Sequence, residues 1–299
     1  MEVGPRSDGL AVAPPTTPRS RSAGAWLRAQ VIAHRRLLLV LTLAGMAAAL
    51  VYVATLTEDA RDAHAYYVND LGDLYSRSAG SADAYIYPPL LAELVQPLRA
   101  LPWPAFETAV RVGNVVALGL AGGPFAASLL LTLPIQNDIA FGNINLWLGL
   151  LVVGGLRWPA LWSGVLLTKI TPGVGLLWFV GRRDWRGLLV ALGATAAVAI
   201  GAIVLAPGAW ADWVGFLRAP SSDPSGLLGG TFLPVRLVIA APLALWAGYR
   251  NRSWALVVAS WFAVPLLWPG TFAMLTPLLW RLWLLSSGGR PRRLGLSPA

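Results

Sequence analysis

A single lysine, Lys169, lies inside the apolar run Leu-Leu-Thr-Lys-Ile-Thr-Pro-Gly, while the other 22 basic residues are arginines. A lysine at the centre of a membrane helix costs about 2.5–3.5 kcal/mol on the insertion scale, and charges at that depth usually face a cavity or a partner. An anion is the simplest partner; the alternative is an ordinary helix from which the side chain reaches the interface. A second concentration of reactive side chains precedes the lysine. Seven of the 14 acidic residues (Glu58, Asp59, Asp62, Asp70, Asp73, Asp83 and Glu93) share one segment with five of the seven tyrosines, Tyr66, Tyr67, Tyr75, Tyr85 and Tyr87. Carboxylates accept hydroxyl protons and aromatic rings cover the apolar faces of sugars, which suits a polyhydroxylated ligand. A solvated loop with an interfacial tyrosine belt has the same composition. Asp62 opens the stretch Asp-Ala-His-Ala-Tyr-Tyr and can act as a general base on a hydroxyl brought within about 2.6–3.2 Å; Asp59, Asp70 and Asp73 are its rivals.

Other chemistries are poorly served. The chain has no cysteine, and its two histidines, His34 and His64, stand apart, so neither thiolate chemistry nor a histidine metal cluster is expected. No Asp-X-Asp triplet is present to hold a metal-bound nucleotide sugar. The expectation is therefore a site without metal or cofactor.

These groups must be positioned by membrane helices. Of 299 residues 56% are hydrophobic and 12% charged, with mean hydropathy +0.61, against about 25% charged in soluble domains. The net charge of +9 then reports arginines flanking spans and anionic lipid, and no nucleic-acid partner is expected. Arginine over lysine, with abundant Ala, Gly, Pro and Trp, fits a GC-rich bacterial genome and a bacterial plasma membrane. Residues 1–24 read as a disordered cytoplasmic tail, 25–287 as one integral membrane domain and 288–299 as a second cytoplasmic tail. The arginines before residue 37 make 37–56 a signal anchor crossing outward, which leaves 58–104 outside. Further crossings are expected at 105–121, 124–134, 145–156, 188–206, 232–248, 253–267 and 271–285. A single crossing over 159–180 would put Arg182, Arg183 and Arg186 on the outer side; a re-entrant hairpin broken at Lys169–Pro172 removes the conflict, because Pro172 lacks a backbone donor. Lys169 then sits at a hairpin tip open to the outer face. Prolines spaced through 85–104 predict short amphipathic helices along that interface.

Tyr85-Ile-Tyr-Pro-Pro-Leu with the following Pro-Leu and Leu-Pro, the Gly142-Asn143-Ile-Asn145 turn, and Lys169-Ile-Thr-Pro172 followed by Arg-Arg-Asp-Trp-Arg resemble glycosyltransferase family 87. Its members are polyprenol-phosphate-mannose-dependent α-mannosyltransferases of the GT-C class. The resemblance implies an all-α, GT-C-like bundle of about 8–10 transmembrane or re-entrant helices, with its active site at the outer face. It implies inverting transfer of a sugar, mannose or a relative such as arabinose, from a polyprenyl-phosphate donor to a lipid-linked or cell-envelope glycan acceptor. By position, the family's general base falls on Asp62 and its donor-phosphate lysine on Lys169. Arg236 and Arg111 are candidate helpers at the phosphate, with interfacial packing as their alternative. His64, Tyr66, Tyr87, Asn143 and Asn145 are candidate sugar or acceptor contacts, although the two asparagines equally suit helix capping, and Gln136, Asn137 and Asp138 can reach the acceptor from the outer side.

The chain departs from the family in two places. A late loop reads Leu-Trp-Pro-Gly-Thr-Phe without the usual histidine, and a polar patch is altered to Ser-Asp-Pro-Ser-Gly. A lipid or sugar-lipid transporter would also need a buried cation and broken helices, but predicts an inverted repeat that the hydropathy pattern lacks. A non-catalytic scaffold or inactive GT-C homologue accommodates the departures and leaves the lone lysine unexplained.

Overall fold

The computed structural model describes residues 30, 32–57, 59–77, 81–218 and 233–279, and among these every regular element is a helix. The two expected tails, the Ser-Asp-Pro-Ser-Gly patch and Arg290, Arg292 and Arg293 lie outside the described residues. The protein is an all-α, polytopic membrane protein. Among the described residues three helices are long and apolar enough to cross a bilayer: α1 (Arg35–Thr55), α4 with α5 (Trp103–Gly122 continuing to Ala126–Leu130) and α10 (Trp185–Leu205). At about 1.5 Å per residue, 21 residues cover about 31 Å, the thickness of the hydrocarbon core. α1 and α10 turn most of their surface outward, with Leu39, Val51, Leu189 and Val204 exposed, as lipid-facing helices do. α1 meets α4 and α5 through Gly45, where a Cβ would sit 2.6 Å from the Ala127 nitrogen.

The remaining apolar segments are broken by bends and 3-10 turns. Residues 124–134 do not form a crossing of their own; they comprise a 3-10 turn, α5, which continues the α4 span, and the start of α6 (Leu133–Phe141). α7 (Asn145–Gly155) has 11 residues, about 16 Å, and bends 106° from α6, so the two together make at most one span. The segment 159–180 is interrupted as the sequence predicts: a 3-10 turn, then α8 (Trp162–Leu166), an irregular stretch at 167–170, a second 3-10 turn (Thr171–Leu176) and α9 (Leu177–Arg182). α11 (Pro207–Arg218) follows α10, and α12 (Leu233–Arg250) packs on α9 where Gly181 and Gly248 let the backbones touch. α13 (Ser253–Phe262) stops short of Pro265, and the Pro269–Leu275 turn packs on α6 and α7. Prolines at 124, 134, 159, 172, 265 and 269 stand at these interruptions.

Breaking helices inside an apolar bundle leaves end N–H and C=O groups without partners, and each such group away from water costs several kcal/mol unless satisfied. Buried side chains meet this need, and they converge on one place.

Candidate active site

The site is built where α2 (Arg61–Val68), just beyond α1, rests on the corner between α6 and α7. Gly142 ends α6 in the left-handed region (φ +69°), and a Cβ there would meet the Ala63 Cβ at 2.7 Å, so only glycine lets α2 come this close. The corner is tied internally: Asn143 donates its backbone N–H to the Asp138 carbonyl (3.0 Å), and the Asp138 carboxylate accepts the Leu146 N–H (3.0 Å) at the start of α7. From α4, the Asn114 amide reaches both the Asp138 and Asn143 carbonyls (2.9 and 2.7 Å).

Two reactive groups attach to this corner. Asn143 Nδ2 donates to Asp62 Oδ2 at 2.5 Å, while its Oδ1 accepts from the Ile144 N–H. On the other side, Lys169 Nζ donates to Asn145 Oδ1 (2.9 Å), and Asn145 Nδ2 donates to Asp138 Oδ1 (2.9 Å). Asp138 and Asn145 are completely buried, whereas Asp62 and Lys169 are half-buried. Burial pushes the Asp62 carboxyl above its usual range; the Asn143 hydrogen bond and the charges of Lys169 and Arg61 oppose that shift and are outweighed. The Tyr87 ring lies 5.4 Å from the Lys169 ammonium, within cation–π range. Burial, followed by the Asp62 charge, pushes the Tyr87 phenol well up, so it stays a hydrogen-bond donor.

The tyrosine-rich segment is itself a core rather than a solvated loop. Tyr66, Tyr85 and Tyr87 are buried against one another with ring centroids 5.8–6.3 Å apart. The Tyr85 hydroxyl donates to the Pro88 carbonyl and accepts the Ala92 N–H of α3 (Pro89–Val95), and Tyr75 donates to the Tyr87 carbonyl (2.6 Å). This packing fixes Tyr87 beside the lysine and Tyr66 behind Asp62.

Other candidates fall elsewhere. Of the two asparagines expected as helix caps, neither caps α7; Asp138 does, because a carboxylate eight residues upstream folds back over the corner. His64 bonds Asp83 (2.7 Å) and meets the Trp103 edge at 4.9 Å. Arg111 pairs with Glu107 (3.0 Å) and donates to the Ala140 carbonyl at the end of α6. Arg236 donates to the Phe262, Val264 and Pro265 carbonyls beyond the end of α13 (2.6–3.3 Å). Both arginines thus serve helix ends left without partners.

The structure also brings in residues the sequence did not single out. Arg61 lies beside Asp62 with its guanidinium 5.7 Å from the Phe141 ring, and Phe141 stacks on Trp268 at 5.7 Å. The late loop reaches the site through the Gly270 carbonyl, 3.4 Å from Asn145 Nδ2. Glu107 and Asn114 sit with Arg111 at i, i+4 and i+7, a polar stripe on an apolar helix that was legible in the sequence as a pattern. Among the described residues no group of three or more His, Asp or Glu side chains is arranged to hold a metal ion.

Two curated relatives are mannosyltransferases. One is the polyprenol-phosphate-mannose-dependent alpha-(1-2)-phosphatidylinositol mannoside mannosyltransferase of Mycobacterium tuberculosis, 28% identical over 258 residues, covering 74% of this chain and 57% of the relative. The other is the polyprenol-phosphate-mannose-dependent alpha-(1-2)-phosphatidylinositol pentamannoside mannosyltransferase of Mycolicibacterium smegmatis, 28% identical over 255 residues, covering 67% of this chain and 61% of the relative. The chain therefore spans about 57–61% of the length of these relatives. No solved structure matches it. The family model of glycosyltransferase family 87 matches residues 85–297, which takes in Tyr85 and Tyr87, the α6–α7 corner and the lysine turn, and the chain belongs to that family.

Proposed function

We propose that the protein transfers mannose from a polyprenyl-phosphate carrier to a lipid-linked or envelope glycan acceptor at the outer face of the membrane. The observation that carries this reading is the continuity of the site. Asp62 and Lys169 are linked through Asn143, Asp138 and Asn145 around one helix corner, a base at one end and a cation at the other. The names of the two mycobacterial relatives supply the sugar and the carrier.

In this reading Asp62 takes the proton of the acceptor hydroxyl as its oxygen bonds to the anomeric carbon. On the opposite side the bond from that carbon to the phosphate oxygen breaks, with inversion, and its electron pair stays on the departing polyprenyl phosphate. Lys169 counters the charge that develops there. The raised carboxyl of Asp62 suits a base that must hold a proton during the step and release it afterwards. Positioned proton transfer contributes about 10²–10⁴-fold, and a preorganised cation at a leaving anion contributes on a similar scale. Transfer of labelled sugar from polyprenyl-phosphate mannose in membranes bearing the protein tests the reading. It predicts turnover that depends on both Asp62 and Lys169.

A further inference from the structure

Glu107 and Arg111 form an ion pair on α4, a helix whose other faces are apolar, and charges on such a helix are costly to keep without a function. With 100° per residue, positions 107, 111 and 114 fall within about 60° of one another, on one stripe. Each side chain of that stripe holds a different part of the site. Glu107 Oε1 accepts the Ala60 N–H (2.9 Å), the residue that caps the start of α2 two positions before Asp62. Arg111 holds the Ala140 carbonyl (3.0 Å), three positions before Asn143. Asn114 holds the Asn143 carbonyl itself (2.7 Å) and that of Asp138 (2.9 Å).

We propose that Glu107, Arg111 and Asn114 are positioning residues that set Asp62 against Asn143, with Arg111 acting through the α6 terminus rather than on the donor phosphate. The stripe is a ruler. α2 is anchored at one end and the α6–α7 corner at the other, and the 2.5 Å contact between Asp62 and Asn143 falls between two segments that touch the same helix face. Neither segment is covalently near the other: Asp62 and Asn143 are 81 positions apart. Lys169 hangs from Asn145 and Asp138 on the far side of the corner, so the stripe governs the base end of the site more than the phosphate end. The inference rests on the reading of Asp62 as the base.

The test compares Glu107→Ala with Glu107→Gln, whose amide oxygen can still accept from the Ala60 N–H. Two readouts are needed: kcat and donor KM for sugar transfer, and hydrogen–deuterium exchange at the amides of 60–66. Glu107→Ala is expected to lower kcat at least tenfold with donor KM within threefold of the parent, and to raise exchange in α2 at least tenfold. Glu107→Gln is expected to recover most of both. Exchange in α2 that stays at the parental level in Glu107→Ala overturns the proposal. So does a loss that appears in donor KM rather than kcat, or a loss of equal size in the glutamine variant. Should Glu107→Ala raise exchange in α10 as well, the helix bundle itself is disturbed, and the glutamine variant decides by kcat and by exchange. A parent that transfers no sugar contradicts the reading of function, and the exchange arm then decides the positioning contact by itself.

Discussion

Lys169 and Asp138 face each other across one amide: Asn145 accepts from the ammonium with Oδ1 and donates to the carboxylate with Nδ2, each at 2.9 Å. The chemistry of the partners allows only that orientation, since an ammonium has no acceptor and a carboxylate no donor. The amide thus holds a half-buried cation and a fully buried anion together without direct contact, and leaves the remaining protons of Lys169 to turn toward an anionic group.

Asn145→Ala separates that pair: the half-buried Lys169 ammonium loses its acceptor, and the buried Asp138 carboxylate loses one donor and keeps the Leu146 N–H. Each orphaned group costs about 1–3 kcal/mol. The expected result is a clear fall in thermal midpoint, followed by fluorescence of the purified protein in detergent. Asn145→Leu fills the volume but leaves the charges unpaired, so it is expected to be no better.

Asp62→Asn separates catalysis from stability. Burial raises the Asp62 carboxyl, which means folding favours its protonated form. That contribution is fully present below the unfolded pKa and is lost as pH rises through the folded one, so at neutral pH the ionised carboxylate is a burden on the fold. The neutral isostere, whose oxygen can still accept from Asn143, is expected to lower transfer at least a hundredfold while holding or raising the melting midpoint. A joint loss of activity and stability contradicts this.

The same carboxyl sets a pH dependence. Its base form disappears as pH falls through a raised pKa, so the acid limb of kcat/KM is expected above the range of an ordinary aspartate. Asn143→Ala removes a hydrogen bond that favours the ionised form. The acid limb of that variant is expected to move to still higher pH, as read from kcat/KM across a pH series.

Gly142→Ala places a Cβ at φ +69° and 2.7 Å from the Ala63 Cβ. A left-handed alanine costs about 1–2 kcal/mol before any clash, and the clash pushes α2 off the corner. Transfer is expected to fall at least tenfold. Gly193→Ala, where nothing lies within 4 Å of the added carbon, is the matched control and is expected to stay near the parent.

How much of this the sequence disclosed depends on what kind of signal each residue leaves. Lys169 was legible because one charge stands in an apolar run, and the helix interruption around it because Pro172 cannot donate. Asp62 stood out by position, but its contact with Asn143 spans 81 positions and leaves no local trace. The sequence leaves Arg111 and Arg236 as candidates either for the phosphate or for interfacial packing, because a guanidinium is attracted alike to a phosphate and to an unpaired carbonyl; the structure adds their contacts with Ala140 and with 262–265. The tyrosines of 66–87 read as a ligand platform or interfacial belt, since nothing local tells a tyrosine that packs on other tyrosines from one that faces solvent. Apolar composition persists through a helix break such as the 106° turn between α6 and α7, so the break itself leaves little trace in composition.

The central claim is that Asp62 and Lys169 act at the two ends of one site on a polyprenyl-phosphate sugar. The most direct test is transfer of labelled mannose from polyprenyl-phosphate mannose by membranes containing the parent, Asp62→Asn or Lys169→Ala protein at matched expression. Turnover by the parent, with at least a hundredfold loss in each variant, is the predicted result. Turnover by the parent that survives either substitution within a few-fold, or a parent that moves no sugar from this donor, contradicts the account.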